Sequence, residues 1–416
     1  MRPSLPQLRG LLNSGECALL DAARAEATAA GAALWLVGGA VRDLALGRPV
    51  HDLDLAVSVA AYPLALAVAA RSSDAAEVEH EERFGTASVR IEGARLDLAR
   101  LRRERYAAPG ALPAVTFVED IESDLARRDF TVNALALGLT GAQEDVLVDP
   151  FGGMDDLATR RLRALHPRSF IDDATRLWRG ARTAAVFDLA PDEDTARLIA
   201  EGGRWLDAVS GDRITAELRF TAGRGRSGRT LALAEAWSVL RATHPALHLD
   251  ASTARALRHR SGAIPFEVFM ALLIAPLDER GAILERLSAS NSVVATVEQT
   301  AQLIEAGRFG VVPTPEHLAR LAGASPEARV AARWLDPAGQ PALQRALGRW
   351  ERTRSPIDAE ELMRLGVPRG RTLGVTLDRL RRARYLGTLG TRADARRDVR
   401  RMMAEANHVV VAQNGC

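Results

Sequence analysis

The sequence predicts an α/β head with a mixed sheet, followed by an all-α remainder. Within residues 1–150, short apolar runs alternate with turn signals, which is typical of strands and helices packed in layers. Beyond about Asp149, apolar residues recur at helical spacing instead. The length of 416 residues accommodates two to four domains, because a domain typically has about 100–200 residues.

The head begins with a predicted strand, Leu34–Val37, that runs into the glycine pair Gly38-Gly39. Leu53–Val59 is a second predicted strand, and Tyr62–Arg71 has the spacing of a helix. The remaining head segments are a hairpin of Ala87–Ile91 with Ala94–Leu98 and an apolar helix candidate, Asn133–Leu139.

The rest of the chain is helical by its spacing. The Gly- and Arg-rich stretch Gly223–Thr230 predicts a loop, and Asp336–Gln340 predicts a linker. A short strand candidate, Val409–Val411, lies near the end. The predicted helices include Ala174–Phe187, Ala254–Arg260, Phe266–Leu273, Glu316–Leu321 and Ala359–Leu365.

Composition excludes several classes of chemistry. All 55 basic residues are arginines, so there is no lysine for a P-loop, a Schiff base or a general base, and Arg remains as the bidentate phosphate ligand. Two cysteines, Cys17 and Cys416, are too few for a disulfide framework, a zinc cluster or an iron–sulfur site. The sequence shows neither an apolar run of about 18 residues nor a signal-peptide pattern, which predicts no membrane span and a cytosolic location.

The first group of candidate site residues follows the strand Leu34–Val37. A strand that runs into Gly38-Gly39 and then a helix brings backbone N–H groups to an anion, and Arg42 would add positive charge. Asp52 and Asp54 are two apart, which places both carboxylates on one face of a strand. Such a pair repels unless a cation lies between the carboxylates, and oxygen ligands suit Mg²⁺ shared with substrate phosphates. The alternative is a pair of surface aspartates that cap a helix.

A third carboxylate, Asp97, would complete a two-metal site. It lies between Leu96 and Leu98 in an apolar strand, where a bare carboxylate is costly without a partner. Two metal ions lower the pKa of an attacking hydroxyl and stabilise a leaving pyrophosphate, which describes nucleotidyl transfer. The alternative is an ordinary ion pair of Asp97 with Arg95 or Arg100.

The second group lies in the stretch from Asp124 to Ala134. Two adjacent arginines, Arg127 and Arg128, can hold a triphosphate, and Asp129 or Asn133 can hydrogen-bond ribose hydroxyls. The alternative is a solvated helix face.

The third group is Asp149–Leu157, a Pro- and Gly-containing stretch that suits a hinge or a plain interdomain turn equally well. The fourth is Ser169–Arg179. Asp173 and Arg176 are three apart, so on a helix they share a face and can pair with the edge of a nucleobase. Arg179, one turn further on, is a further candidate nucleotide ligand. The alternative is a helix N-cap followed by an ordinary ion pair.

Taken in order, these segments resemble the class II tRNA nucleotidyltransferase and bacterial poly(A) polymerase family of the polymerase-β-like superfamily. The resemblance covers about residues 34–220. It implies that Asp52 and Asp54 bind metal with Asp97 assisting, and that Asp173 and Arg176 act as a protein template. The family's template motif usually begins with Glu, where this chain has the shorter Asp172. The implied nucleotide-binding residues are Gly38, Gly39, Arg42, Arg128, Asp129, Asn133, Asp173, Arg176 and Arg179, and the last motif matches Asp212–Leu218.

The resemblance also implies four domains and a nucleic-acid partner. We expect the head at 1–150, a neck with the base-recognition motif at 151–235, a body at 236–345 and a tail at 346–416. The tRNA acceptor arm would lie along the helical part, although the formal net charge of +2 is low for an RNA-binding protein. The alternative for the basic tail is a solvated amphipathic face. The arginines expected to contact RNA phosphates are Arg381, Arg382, Arg384 and Arg396.

The implied activity is Mg²⁺-dependent, template-independent addition of C and/or A to tRNA 3′ ends from CTP and ATP, with release of pyrophosphate. In full CCA-adding members a flexible head loop precedes the ribose motif. Here the stretch 102–113 is apolar and Pro-bearing in its second half, so it is stiffer. A partial CC-adding or A-adding activity is therefore an open alternative. The rivals are a poly(A) polymerase and a non-catalytic RNA-binding protein. We expect no membrane association, no appended phosphatase and no obligate protein partner.

Overall fold

A computed structural model describes residues 2–50, 53–72, 75–308 and 313–413, with side chains up to residue 404. Contacts group the chain into two compact units. The first contains residues 1–249 with 260–262 and 285–288, and the second contains 250–259, 263–284 and 289–416. The division into head, neck, body and tail stays a prediction.

The first unit is built around a seven-stranded mixed sheet with the order β3-β4-β5-β2-β1-β8-β9. The pair β2–β5 is parallel, and the other neighbouring strands are antiparallel. The predicted fold class, a mixed-sheet head followed by helices, is therefore confirmed. The sheet strands are β1 Leu34–Val37, β2 Leu53–Val57, β3 Glu77–Glu81, β4 Thr86–Ile91, β5 Ala94–Arg100, β8 Ala136–Gly138 and β9 Leu147–Val148, and β6 Arg102–Arg105 pairs with β7 Ala114–Phe117 in a separate hairpin.

Strand alternation decides on which face of this sheet the side chains of Asp54 and Asp97 lie. Trp35 and Val37 of β1 point to one face and cluster with Ala56 of β2. Asp54 is two residues from Ala56 and therefore points to the same face. The register pairs Asp54 with Asp97 across the parallel β2–β5 pair, so both carboxylates extend from this face on neighbouring strands.

Helices cover the sheet and continue the first unit. Helix α2 begins at a capping box, in which Asn13 accepts from the backbone N–H of Glu16 and Glu16 accepts from that of Asn13. A two-residue parallel pair, β10 Arg161–Leu162 with β11 Ala190–Pro191, interrupts the predicted all-α region. The helices of the first unit are α1 Leu5–Leu11, α2 Ser14–Ala29, α3 Gly39–Ala45, α4 Ala61–Ser72, α5 Ile121–Ala126, α6 Gly153–Ala158, α7 Ser169–Asp172, α8 Thr175–Phe187, α9 Glu193–Gly202, α10 Gly211–Gly223, α11 Ser227–Ala236 and α12 Val239–Thr243.

The second unit is helical throughout its described residues. Its most apolar helix, α14, is buried from Phe266 to Ile274 except at Glu267. No helix within the described residues has the length and apolar character that a membrane span requires. The helices are α13 Ala251–Leu257, α14 Phe266–Ile274, α15 Arg280–Arg286 (which ends in the first unit), α16 Asn291–Arg308, α17 Pro315–Leu321, α18 Pro326–Leu335, α19 Gln340–Arg352, α20 Ala359–Arg364, α21 Arg371–Tyr385 and α22 Arg392–Gln413.

Three segment predictions were wrong. Asn133–Leu139, the helix candidate, contains strand β8 between β1 and β9, because a short, fully buried apolar run has no periodicity that separates helix from strand. Val409–Val411 continues helix α22 instead of forming a strand. Gly223–Thr230 is mostly helical, since α10 ends at Gly223 and α11 begins at Ser227.

Candidate active site

The glycine pair after β1 makes room for two arginine side chains. Gly38 has a φ of 71°, in the region that favours glycine, and helix α3 begins at the next residue. A Cβ at Gly38 would overlap the guanidinium of Arg128, and one at Gly39 would lie 3.2 Å from Nη2 of Arg42. The pair therefore seats two positive charges against the backbone at the end of a strand.

Arg42 is held in place on several sides. Its Nη2 donates to Oδ1 of Asp43 at 3.0 Å, and its Nη1 donates to Oδ1 of Asn133. Its guanidinium carbon lies 3.9 Å from the ring centroid of Phe187, and that of Arg48 lies 4.8 Å from the same centroid. Burial lowers the pKa of Arg42 and Asp43 opposes this, but arginine stays protonated in proteins.

Arg128 is anchored by a carboxylate to which the sequence analysis assigned no role. Asp124, 1% exposed, accepts from Nη2 of Arg128 at 3.3 Å and pairs with Arg127 at 2.9 Å. Burial raises the pKa of Asp124, but the charges of Arg128 and Arg127 outweigh this and lower it overall. Asp124 lies three and four residues before Arg127 and Arg128, and this helical spacing could have predicted both ion pairs.

Asp129 is a buried, ionised acceptor at the cavity wall. Its Oδ1 accepts from the backbone N–H of Phe130 at 2.8 Å and from the amide of Asn133 at 3.0 Å. Its Oδ2 lies 2.9 Å from Nε of Arg179. Burial alone would raise the pKa of Asp129, but the charge of Arg179 and the amide of Asn133 lower it to about 2. The Asn133 amide thereby links Asp129 to Arg42.

Of the three aspartates proposed for the metal site, the structure describes Asp54 and Asp97. Asp54 lines the cavity, whereas Asp52 lies outside the described residues. Asp97 is not among the cavity-lining residues; it pairs with Arg95 at 2.9 Å and accepts from the Ser88 hydroxyl. Within the described ranges no group of three acidic, His or Cys side chains is arranged to hold a metal.

One stripe of helix α8 also lines the cavity. The α8 residues that line the cavity recur at helical spacing, and Arg179 is the one among them that was predicted from the sequence. Arg182 donates to Glu217 of α10 at 2.6 Å, and both side chains line the cavity. The cavity measures about 590 Å³, within the usual range of ligand sites. The α8 and α10 residues that line it are Arg179, Arg182, Thr183, Val186, Phe187, Glu217, Phe220 and Arg224.

The structure corrects the expected arrangement of Asp173 and Arg176. Asp173 has extended backbone between α7 and α8, so the two residues do not share a helix face. Asp173 accepts from Thr175 and from Arg213 at 2.8 Å. Arg176 donates to the Ser169 hydroxyl at 2.9 Å and to a backbone carbonyl at 2.7 Å. Both side chains are buried, and neither lines the cavity.

Three of the four tail arginines have intramolecular partners. Arg381 donates to the carbonyl of Trp350 at 2.8 Å, and its guanidinium carbon lies 4.1 Å from that ring centroid. Arg382 pairs with two carboxylates, and Arg396 pairs with Glu361. Arg384 is exposed on α21. RNA contact by these residues stays a prediction.

The head matches a known family model, and curated relatives match just under half of the chain. Residues 34–163 match the poly(A) polymerase head domain. An A-adding tRNA nucleotidyltransferase of Halalkalibacterium halodurans is 44% identical over 192 residues, 45% of this chain and 44% of the relative. A CCA-adding enzyme of Enterococcus faecalis is 38% identical over 49% of this chain and 48% of the relative. A CC-adding tRNA nucleotidyltransferase of Deinococcus radiodurans is 38% identical over 49% and 54%. The chain thus spans about half the length of the curated relatives it matches.

Solved structures resemble this protein in fold over nearly the whole chain. An apo CCA-adding enzyme aligns with 95% of this chain and 97% of its own length, with a TM-score of 0.75 and 24% identity. A CCA-adding enzyme in complex with ATP aligns with 97% of this chain and 99% of its own, with a TM-score of 0.75 and 22% identity. A Thermotoga maritima CCA-adding enzyme complexed with tRNA aligns equally far, with a TM-score of 0.70 and 22% identity.

The family resemblance drawn from the motifs is confirmed: residues 34–163 match the poly(A) polymerase head domain, and just under half of the chain is similar to tRNA nucleotidyltransferases.

Proposed function

We propose that this protein adds C and/or A nucleotides to the 3′ end of tRNA from CTP and ATP, with release of pyrophosphate. The observation that carries the proposal is the seat of Arg42 and Arg128 on Gly38-Gly39, in the same cavity as Asp54. Guanidinium groups are bidentate phosphate ligands, and two of them in one cavity suit a triphosphate, although each also pairs with a carboxylate: Arg42 with Asp43 and Arg128 with Asp124. The names of the relatives supply the class of reaction and the RNA.

The residues of the network have separate tasks in this proposal. Arg42 and Arg128 hold the triphosphate, and the glycines let it approach the backbone. Asp129 accepts hydrogen bonds from ribose hydroxyls, because its carboxylate is ionised at every physiological pH. Asn133 orients Asp129 and Arg42 relative to each other.

Mg²⁺ is the metal that the family implies, and the donor set is of the right kind. Asp54 with Asp52 would hold it, assisted by Asp97, since Asp54 and Asp97 extend from neighbouring strands in register. When bound, the metal supplies charge stabilisation for the attacking and leaving oxygens. For Asp97 to assist, its carboxylate must share or release Arg95.

Base choice is assigned to Asp173 and Arg176, with Arg179 at the cavity wall. To meet a nucleobase, Asp173 must share its contact with Arg213, and Arg176 must exchange its contact with Ser169. We propose that nucleotide entry drives this exchange. The helical part of the chain, including Arg384 of the tail, would then bind the acceptor arm of the tRNA. The protein would act in the cytoplasm.

A partial CC-adding or A-adding activity is part of the proposal. The stretch 102–113 begins as strand β6, whose partner is β7. Beyond β6, Gly110 lies against the backbone of Ala208, and its carbonyl accepts from Arg213 at 3.4 Å. A loop tied at these points has less freedom to switch the site from C to A than a free polar loop.

The deciding experiment presents tRNAs that end before CCA, and after CC, with CTP and ATP supplied separately. Extension of the first by CTP and of the second by ATP identifies a full CCA-adding enzyme, and one reaction alone identifies a partial one. Asp52→Ala should abolish incorporation with an unchanged melting temperature, whereas Asp21→Ala, an exposed carboxylate paired with Arg9, should not reduce it. Near-normal turnover of Asp52→Ala would refute the metal assignment.

A poly(A) polymerase is the second candidate, favoured by the description of the family model that matches the head. A reaction with ATP alone separates the two. Long A tails indicate the polymerase, and one to three additions indicate the tRNA enzyme. No pyrophosphate release with Mg²⁺, nucleotides and tRNA would point instead to a non-catalytic RNA-binding protein.

A further inference from the structure

An exposed aromatic ring stands in the wall of the nucleotide cavity. Phe220 lies on α10, lines the cavity and is 50% exposed. Large apolar side chains on a surface gain free energy when another group covers them. The guanidinium carbon of Arg182 lies 5.4 Å from the centroid of the Phe220 ring, within range of a cation–π contact.

The second aromatic residue of the described cavity wall is already engaged. Phe187 has the guanidinium groups of Arg42 and Arg48 at 3.9 and 4.8 Å from its centroid. The Phe187 ring is therefore in contact with cationic groups that are suited to binding phosphates. Phe220 differs, because half of its surface is open to the cavity or solvent.

The two walls of the cavity divide the chemistry of a nucleotide. The head supplies the anion-binding wall, with Arg42 and Arg128 on the glycine pair and Asp129 as a hydroxyl acceptor. Helices α8 and α10 supply the other wall. A nucleotide whose phosphates met Arg42 and Arg128 would have its base within the same cavity, where residues of α8 and α10, Phe220 among them, also line the wall.

We propose that Phe220 is a stacking platform for a nucleobase in this cavity. The proposal rests on the proposed function and adds a residue that recognises the π-face of the base. Every base has such a face, so the platform serves both C and A, and the larger purine gains more. The base belongs to the incoming nucleotide or to the 3′ end of the RNA.

Binding without RNA tests the first source of the base. The affinities of the whole protein for ATP, CTP and tripolyphosphate, which has no base, are measured for the wild type and for Phe220→Ala. We expect the variant to lose at least about fivefold in ATP affinity, less in CTP affinity and nothing in tripolyphosphate affinity. Phe220→Tyr should restore the affinity for ATP.

Phe117→Ala is the matched control. Phe117 is also an exposed Phe, 38% exposed and 4.5 Å from the guanidinium carbon of Arg100, but it does not line the cavity. The Phe117→Ala variant should leave the affinities for ATP, CTP and tripolyphosphate unchanged.

The second arm measures the KM for tRNAs that differ in their 3′-terminal base. If Phe220→Ala leaves nucleotide affinity unchanged and raises this KM in a base-dependent way, the platform serves the RNA end. Equal losses for ATP, CTP and tripolyphosphate, or no change in either arm, overturn the proposal. Absence of nucleotide binding by the wild type would instead contradict the proposed function itself.

Discussion

Gly38→Ala tests whether the glycine pair exists to seat a guanidinium group. The backbone at Gly38 has φ 71° and ψ −131°, a conformation that an L residue adopts only at a cost of about 1–3 kcal/mol. In addition, the new Cβ would overlap the guanidinium of Arg128 and force it to move. The substitution therefore combines backbone strain with displacement of a phosphate ligand.

The two effects have different magnitudes in different assays. Strain lowers the melting temperature by about 2–4 °C for each kcal/mol in a unit of this size. Displacement of Arg128 removes a charge-assisted hydrogen bond worth about 1.5–3 kcal/mol, so tripolyphosphate should bind about 10- to 150-fold more weakly. Thermal unfolding and calorimetric titration with tripolyphosphate measure the two separately.

Gly47→Ala is the matched control for strain. Gly47 has a φ of 64°, and a Cβ there would meet nothing within 4 Å. This variant should lower the melting temperature but leave tripolyphosphate affinity unchanged. If Gly38→Ala binds tripolyphosphate as well as Gly47→Ala does, the glycine serves only the backbone turn and the reasoning is wrong.

Two further substitutions probe the supports of the site. Asp124→Ala should reduce the free energy of unfolding in urea by about 3 kcal/mol, because the largely buried guanidinium of Arg128 loses its carboxylate and Arg127 keeps only Glu104; a loss near zero would contradict the anchoring role. The pKa of His166 lies below its usual value of 6.5, because burial and Arg176 disfavour the protonated ring and outweigh Asp172, while Arg168 adds to the lowering. Stability contributed by neutral His166 is therefore present above pH 6.5 and is lost as the pH falls through the lowered pKa. His166→Gln should flatten the decrease in melting temperature between pH 7 and 5, and an unchanged pH profile would show that this ring does not titrate on unfolding.

Local sequence patterns determined the parts of the site that lie close together in the chain. The strand that runs into Gly38-Gly39 is a local feature, and the structure contains it as predicted. This inference holds because short-range backbone geometry depends on neighbouring residues. Alternation along a strand also predicted a shared face for Asp52 and Asp54, which stays a prediction because Asp52 lies outside the described residues.

Local patterns failed where burial or a distant partner decides the conformation. Asn133–Leu139 is apolar throughout, and only its place between two strands makes part of it β8. Asp173 has the expected spacing from Arg176, but its backbone is extended, and the two side chains take different partners, Arg213 and Ser169. Spacing along a chain predicts a shared face only if both residues belong to one helix.

The sequence by itself determined the family, the glycine bend and the candidate charges around it. Only the tertiary structure decided how those charges are connected. Asn133 meets Arg42 across 91 positions of sequence, and α8 and α10 bring Arg182 and Phe220 to the same cavity. The physical reason is that packing of the whole unit places these side chains together, and no local periodicity encodes a contact between residues so far apart in the chain.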